Sequence, residues 1–195
     1  MVETKDRRSQ ILSVAYETAG RKGLEHVHAR SIAAEIGINH AAVHYYYRTR
    51  SNLLVALAEY SRARFESDLQ RVTTAQPTPG RKLEAHIALY EAYCRPQSRF
   101  FRVLQSLAVA AAYDPLVQEK LVEIHSLQHA RLERDLLAAR AEGTLRAESV
   151  LAQPDTLQAY LFGLCAGFQL AGGGDPTAKI DALFRELFKS GPPSG

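Results

Sequence analysis

Apolar side chains recur every three or four residues from one end of the chain to the other. No segment sustains the two-residue alternation of a half-buried strand, so the pattern predicts an all-α protein of about nine helices. A first helix is predicted over 5–22. Ile11, Leu12, Ala15 and Ala19 form its apolar stripe, and Gly23 ends it. A short helix over 29–36 turns Ile32, Ala33 and Ile36 inward and stops at Gly37, a residue suited to the left-handed conformation that closes helices. Asn39 is a favoured N-cap. With Asn39 as cap, Ile38 and Val43 stand in the positions of a hydrophobic staple. The third helix is short and faces its core with Val43 and Tyr47. Thr49 caps a fourth helix carrying Leu53, Leu54, Leu57, Phe65, Leu69 and Val72.

Two prolines break the pattern over 73–80. Further helices are predicted over 81–94, 97–112, 115–141 and 155–171. Pro96 and Pro115 are placed to start two of them, and Gly143 closes the 115–141 helix. The last helix starts near Pro176, with Ile180, Leu183, Phe184 and Leu187 on one face. The stretch 156–174 is uncharged and about as long as a bilayer span. Gln158 and Gln169 interrupt it, glycines end it, and Asp155 and Asp175 flank it, so a buried helix is expected there rather than a membrane span.

Composition adds a location for charge. The chain has 195 residues and a net charge of +3, and the first 52 residues hold eight basic against five acidic side chains. The whole excess therefore lies in the first quarter, which suggests a polyanionic partner for that quarter. The 46% apolar content suffices for a core and excludes a disordered chain. Cys94 and Cys165 are too few and too far apart in sequence for a disulfide scaffold or a Cys-rich zinc module. The charged N-terminus has no apolar signal core, so a reducing cytoplasm is the expected setting. Beside Arg95, Arg99 and Arg102, Cys94 is either a redox sensor or, more simply, a buried packing thiol.

The two short helices joined at Gly37 form a helix-turn-helix pattern. In such a motif the second helix enters the major groove N-terminus first. Here that end carries Asn39, His40, Ala41 and Ala42, followed by His44 and Tyr45. Asn and His hydrogen-bond base edges, while Ala packs on thymine methyls and permits close approach. Arg30 and Arg50, near the starts of the second and fourth helices, are placed for phosphates. The bland alternative is an ordinary corner between two helices. Tyr45, Tyr46 and Tyr47 cannot share one helical face, so Tyr47 is expected in the core, with Tyr45 and Tyr46 near the DNA backbone.

Residues 11–54, ILSVAYETAGRKGLEHVHARSIAAEIGINHAAVHYYYRTRSNLL, resemble the N-terminal domain of the TetR (tetracycline repressor) family of transcriptional regulators. The resemblance rests on the Ile-Leu-x-x-Ala helix, the Lys-Gly turn, the Ile-Ala-x-x-x-Gly-Ile run, the aromatic cluster, a basic residue and the Leu-Leu pair. The later segment GTLRAESVLAQPDTLQAYLFGLCAGFQLAGG resembles that family's entry to a dimer-forming helix pair. The resemblance implies a two-domain, all-α homodimer, with a helix-turn-helix domain over 1–50, a ligand-binding and dimerisation domain over 51–190 and a disordered tail over 191–195. It implies DNA contacts at Arg30, Asn39, His40, Ala41, Ala42, His44, Tyr45, Tyr46 and Arg50. Six positions depart from the family's pattern. His28 replaces a Thr or Ser that caps and contacts phosphate, His44 replaces a Tyr, Ala41-Ala42 replaces a Gly-Thr pair, Ala19 replaces a Phe, and Arg50 replaces a Lys while keeping a phosphate donor.

In the larger domain Tyr90, Tyr93, Phe100, Phe101, Leu104 and Tyr113 either line an effector cavity or fill a core. His125 and His129, four apart, are polar pocket lining or wet surface. With His86 they fall short of a metal site, so neither metal nor cofactor is expected. Gly163 and Gly167 serve either a dimer contact or local packing. The expected function is a ligand-responsive regulator, a repressor released from a near-palindromic double-stranded operator by a small, largely apolar effector. The rival readings are a small helical enzyme and a helical interaction module that does not bind DNA. No phosphate loop or His-Glu-x-x-His motif supports the enzyme.

Overall fold

The computed structural model describes residues 2–95, 98–172 and 174–190, with side chains from Arg7 onward. Among these residues the helices are α1 (Val2–Lys22), α2 (Ala29–Ile36), α3 (His40–Tyr46), α4 (Arg50–Thr73), α5 (Pro79–Cys94), α6 (Arg99–Ala111), α7 (Pro115–Glu142), α8 (Pro154–Leu170) and α9 (Thr177–Leu187). Single 3-10 turns occupy Leu24–His26 and Val150–Ala152. The only β pairing among the described residues is an isolated bridge between Leu145 and Phe188. The all-α expectation therefore holds, and α2 has the predicted bounds.

The main differences lie at helix starts. α5 begins at Pro79, where Thr78 Oγ1 accepts from the Arg81 N–H at 3.3 Å. α8 begins at Pro154. Proline's fixed φ and missing N–H suit the first helical position, so both helices start at a proline that the apolar pattern alone passes over. Pro96, expected to start the sixth helix, lies outside the described residues, as does the tail expected over 191–195. No described helix is long and apolar enough to cross a membrane.

The chain forms two compact units: residues 1–64 with 99–124, and residues 65–98 with 125–195. In the first, Ile11, Ala15 and Ala19 of α1 pack with Ile32 and Ala33 of α2, Val43 of α3 and Leu57 of α4. Val103 and Leu107 of α6 join the same cluster. α1 and α6 approach closely at Gly20, where a Cβ would overlap the Arg99 side chain. An ion pair between Glu17 and Arg99 spans the same two helices.

The second unit is built around α5, α8 and α9. Phe65 is fully buried, with the rings of His86, Tyr90 and Tyr93 each 6.0 Å away. His86 Nδ1 lies 3.0 Å from Asp135 Oδ2, and Tyr93 donates its hydroxyl to Asp68 at 3.1 Å. The end of α9 is tied back by Arg146 N–H to Leu187 O at 2.9 Å and Lys189 N–H to Thr144 O at 3.0 Å.

Two local devices set the α2–α3 geometry. Gly37 has φ +68°, and the Ile38 N–H returns to Ala33 O at 3.0 Å. Arg50 reaches back from the start of α4, donating to Leu24 O and to Val27 O at 2.8 Å each. Those carbonyls flank the turn that leads into α2, so the guanidinium latches the turn to α4.

Gly37→Ala should cost about 1–2 kcal/mol of stability from backbone strain alone. No atom lies within 4 Å of the added Cβ, so urea unfolding should show this loss without a change of fold. An unaltered midpoint would refute the strain account. Arg50→Ala should cost about 1–2 kcal/mol by removing two charge-assisted bonds to carbonyls. Arg50→Lys, with one compact donor head, should recover only part of that. Equal stability of the Ala variant and the native chain would show that the latch contributes nothing.

Candidate nucleic-acid interface

The interface is built on α3, a helix of seven residues. Its inner face is Val43 and Tyr47, both buried. Tyr47 is held at a second point, because Arg8 donates to its hydroxyl at 3.3 Å and lies over its ring at 5.6 Å. Burial pushes the Tyr47 phenol above its ordinary pKa, with Arg8 acting the other way. The outer face presents His40, Ala41, His44 and Tyr45, all exposed, with Ala42 and Tyr46 half-buried. The His40 and His44 rings meet edge to face at 6.3 Å, and Tyr45 and Tyr46 do so at 5.2 Å. Tyr45 therefore sits outside and Tyr47 fills the core, as the helical spacing predicts, while Tyr46 is half-buried against the core cluster.

Asn39 caps α3 through its side-chain oxygen, which accepts from the Ala41 N–H at 2.9 Å. The side-chain amide N–H groups remain as donors. Bidentate recognition of adenine needs both an acceptor and a donor from one amide, so capping favours Asn39 as a donor to a base or phosphate acceptor.

His28 caps α2 by an arrangement that the sequence pattern left in doubt. Its ring Nδ1 accepts from the Ser31 N–H at 3.2 Å, and Ser31 Oγ accepts from the His28 N–H at 3.3 Å. This is a reciprocal capping box with histidine in the usual place of a hydroxyl residue. An Nδ1 that accepts leaves the ring proton on Nε2, so the imidazole keeps one donor beyond the cap. The legible signal was a serine three residues after the cap position. What misled was that histidine is not among the usual cap residues.

These side chains converge on a cleft of about 300 Å³ between α2, α3 and the start of α4. Val27, Val43, Tyr47 and Leu53 form apolar walls, while His28, Arg30, His44, Thr49 and Arg50 supply the polar and cationic lining. The start of α2 adds the positive end of a helix, where first-turn N–H groups lack intrahelical partners. Arg30 also borders a second, open depression of about 390 Å³ with Ala33, Ala34, Asn39 and His40. It thus stands between the α2 start and the α3 start. Thr49 was expected only as a cap. It does cap α4, accepting from the Asn52 N–H at 3.1 Å, and it lines the cleft as well. The surface of the cleft is mainly apolar, with the exposed Arg30 and the carbonyl-bound Arg50 among the residues that border it.

The expected effector residues fall into both units. Tyr90 and Tyr93 are buried in the second unit. Phe100 and Phe101 are buried in the first, where Leu104 is half-buried. Tyr113 is 88% exposed and lines a cleft of about 450 Å³ with Leu24, Glu25, Arg50, Leu54 and Val109. His125, exposed, has its Nδ1 3.3 Å from the Gln158 amide nitrogen. His129 Nε2 lies 2.9 Å from Asp155 Oδ1, without hydrogen-bond geometry. Among the described residues no three His, Cys, Asp or Glu side chains gather as metal ligands.

Residues 11–57 match the family model described as bacterial regulatory proteins, tetR family. No curated protein matches the chain. Several solved structures do. A TetR transcription regulator from Haloarcula marismortui is 19% identical, with 96% of this chain and 98% of that one covered and a TM-score of 0.80. A protein from Saccharomonospora viridis, described as a transcriptional regulator and solved with choline, is 15% identical over 95% and 99% of the two chains, with a TM-score of 0.81. SmeT, solved as a complex with triclosan, is 21% identical over 96% and 95%, with a TM-score of 0.72. At these identities the likeness is one of fold, and it runs nearly the full length of each chain. Residues 11–57 thus match the tetR-family model around the α2–α3 corner, and the chain as a whole shares the all-helical fold of these solved structures.

Proposed function

We propose that the chain is a dimeric, ligand-responsive transcriptional regulator, acting as a repressor, that reads double-stranded DNA with α3. The observation that carries this reading is the convergence of His28, Arg30, His44, Thr49 and Arg50 on one cleft at the start of α2, beside the exposed face of α3. Phosphate contacts there fix the register of the duplex, and α3 reads base edges in the major groove. In this reading Arg30, His44 and Arg50 contact phosphate, Tyr45 and Tyr46 lie along the backbone, and Asn39, His40, Ala41 and Ala42 face the bases. The functional boundary falls near residue 50, with 51–190 for dimerisation and the effector.

A second copy packs on α8. Leu170 is 88% exposed there, and no atom lies within 4 Å of a Cβ at Gly163 or Gly167, so neither glycine serves local packing among the described residues. Tyr90, Tyr93, Phe100, Phe101, Leu104, Tyr113, His125 and His129 are the candidate effector contacts. Two proteins of similar fold were solved with the small molecules choline and triclosan. By linkage, effector and operator weaken each other's binding equally, by about 1–3 kcal/mol in typical cases.

A gel shift against genomic fragments tests the reading. It should give a specific, salt-sensitive complex that an added small molecule dissolves. An enzyme or an interaction module gives none. On a selected operator, Arg30→Ala should weaken binding to all sequences. It should also shallow the plot of log K against log salt by about one unit for each phosphate that Arg30 neutralises in the native complex. An unchanged slope removes Arg30 from the phosphate set. His40→Ala should instead alter base preference, and equal weakening on specific and random DNA would refute its reading role.

A further inference from the structure

The chain has two cysteines, on α5 and α8, separated by 71 residues of sequence. Folding brings their sulfurs to 3.1 Å in the core of the second unit, and neither residue is exposed. Two thiols that merely fill a core have no reason to face each other. A disulfide bond is about 2.05 Å long, so the sulfurs must close by about 1 Å to bond.

The two sulfurs differ chemically. The hydrogen bond shared with Cys165 holds the Cys94 thiol below its ordinary pKa, against opposing effects of burial and Glu91. That same bond pushes Cys165 up, and burial adds to it. Cys165 Sγ also lies 3.7 Å from Tyr90 O. Cys94 is thus the better thiolate, and Cys165 is the proton-bearing partner beside it. Access has a physical route as well. Cys94 is the last residue of α5, and helix ends open at far lower free energy than helix interiors.

We propose that Cys94 and Cys165 form a dithiol that a hydroperoxide, such as hydrogen peroxide, oxidises to an intrachain disulfide joining α5 to α8. The Cys94 thiolate attacks one peroxide oxygen, breaking the O–O bond, to give the sulfenic acid and hydroxide. Cys165 sulfur then attacks the Cys94 sulfur, forming the S–S bond. The sulfenic oxygen leaves as water, taking the Cys165 proton, and the proton that Cys94 released on ionising neutralises the hydroxide. Two thiols and one peroxide yield one disulfide and two waters. The reaction is independent of DNA binding, so it stands or falls apart from the regulatory reading.

The test uses the native full chain, reduced, freed of reductant and treated with hydrogen peroxide. The chain is then denatured, alkylated and examined by intact mass and non-reducing peptide mapping. The expected result is loss of both thiols together, a mass lower by two hydrogens, a single-chain band without reductant, and one linked peptide pair carrying Cys94 and Cys165. Dithiothreitol should reverse all four. Thermal unfolding of the oxidised chain should shift upward, because the cross-link restricts the unfolded chain. Cys165→Ser should leave a sulfenic acid on Cys94 that dimedone traps, with no cross-link. If that variant does not fold, the map of the native chain decides alone. Thiols that stay fully alkylatable in excess peroxide would overturn the proposal. So would oxygen addition without a cross-link, or linkage between two chains.

Discussion

A helix of seven residues has too few internal hydrogen bonds to hold itself together in water. α3 is such a helix, and the interface it carries depends on how its inner face is anchored. Val43 and Tyr47 supply that anchor from the buried side. Every other local device preserves the same geometry. Gly37 turns the chain in the left-handed region, Asn39 closes the first turn, and Arg50 ties the turn before α2 to α4. The exposed positions of α3 are then free to vary, since none of them is needed to keep the helix folded.

That division of labour explains what was legible in the sequence. Ile32, Ala33, Val43 and Tyr47 announce themselves through spacing, because burial on one face of a helix imposes a periodic pattern. Gly37 and Asn39 are legible for a different reason. Each performs a backbone task that few residue types can perform. The outer face of α3 follows as whatever the inner face excludes. The two prolines that start α5 and α8 fall outside the apolar pattern because proline marks a boundary rather than a face.

Long-range pairings were not legible. A place at a helix start assigns Arg50 to phosphate, and nothing local shows that two carbonyls more than twenty residues upstream occupy its guanidinium. The latch leaves its charge at the rim of the cleft, so the side chain has both a structural and an electrostatic role. His28 is missed for a different reason, since its partner Ser31 is only three residues away and histidine is not among the usual cap residues. The thiol pair is the extreme case. Spacing argues against a disulfide scaffold, yet two sulfurs 71 residues apart in sequence meet in one core. Sequence separation bounds how many cross-links a fold can rest on, and says little about which two side chains packing brings together.

The charge excess of the first quarter also changes meaning once the side chains are placed. Arg21 pairs with Glu35 at 3.2 Å, Arg8 lies over Tyr47, and Arg50 is shared with backbone carbonyls. A count of formal charge treats these as equal to Arg30, which stands exposed between the two depressions. They are not equal toward a polyanion, because a cation already bound within the protein releases fewer counterions when phosphate arrives. The start of α2 also borders the cleft, and the positive end of its helix dipole enters no count of formal charge. A helix start, two histidines and two arginines border one cleft in that quarter. Net charge locates the excess in a quarter of the chain, while the partners of each side chain separate the engaged cations from the exposed one.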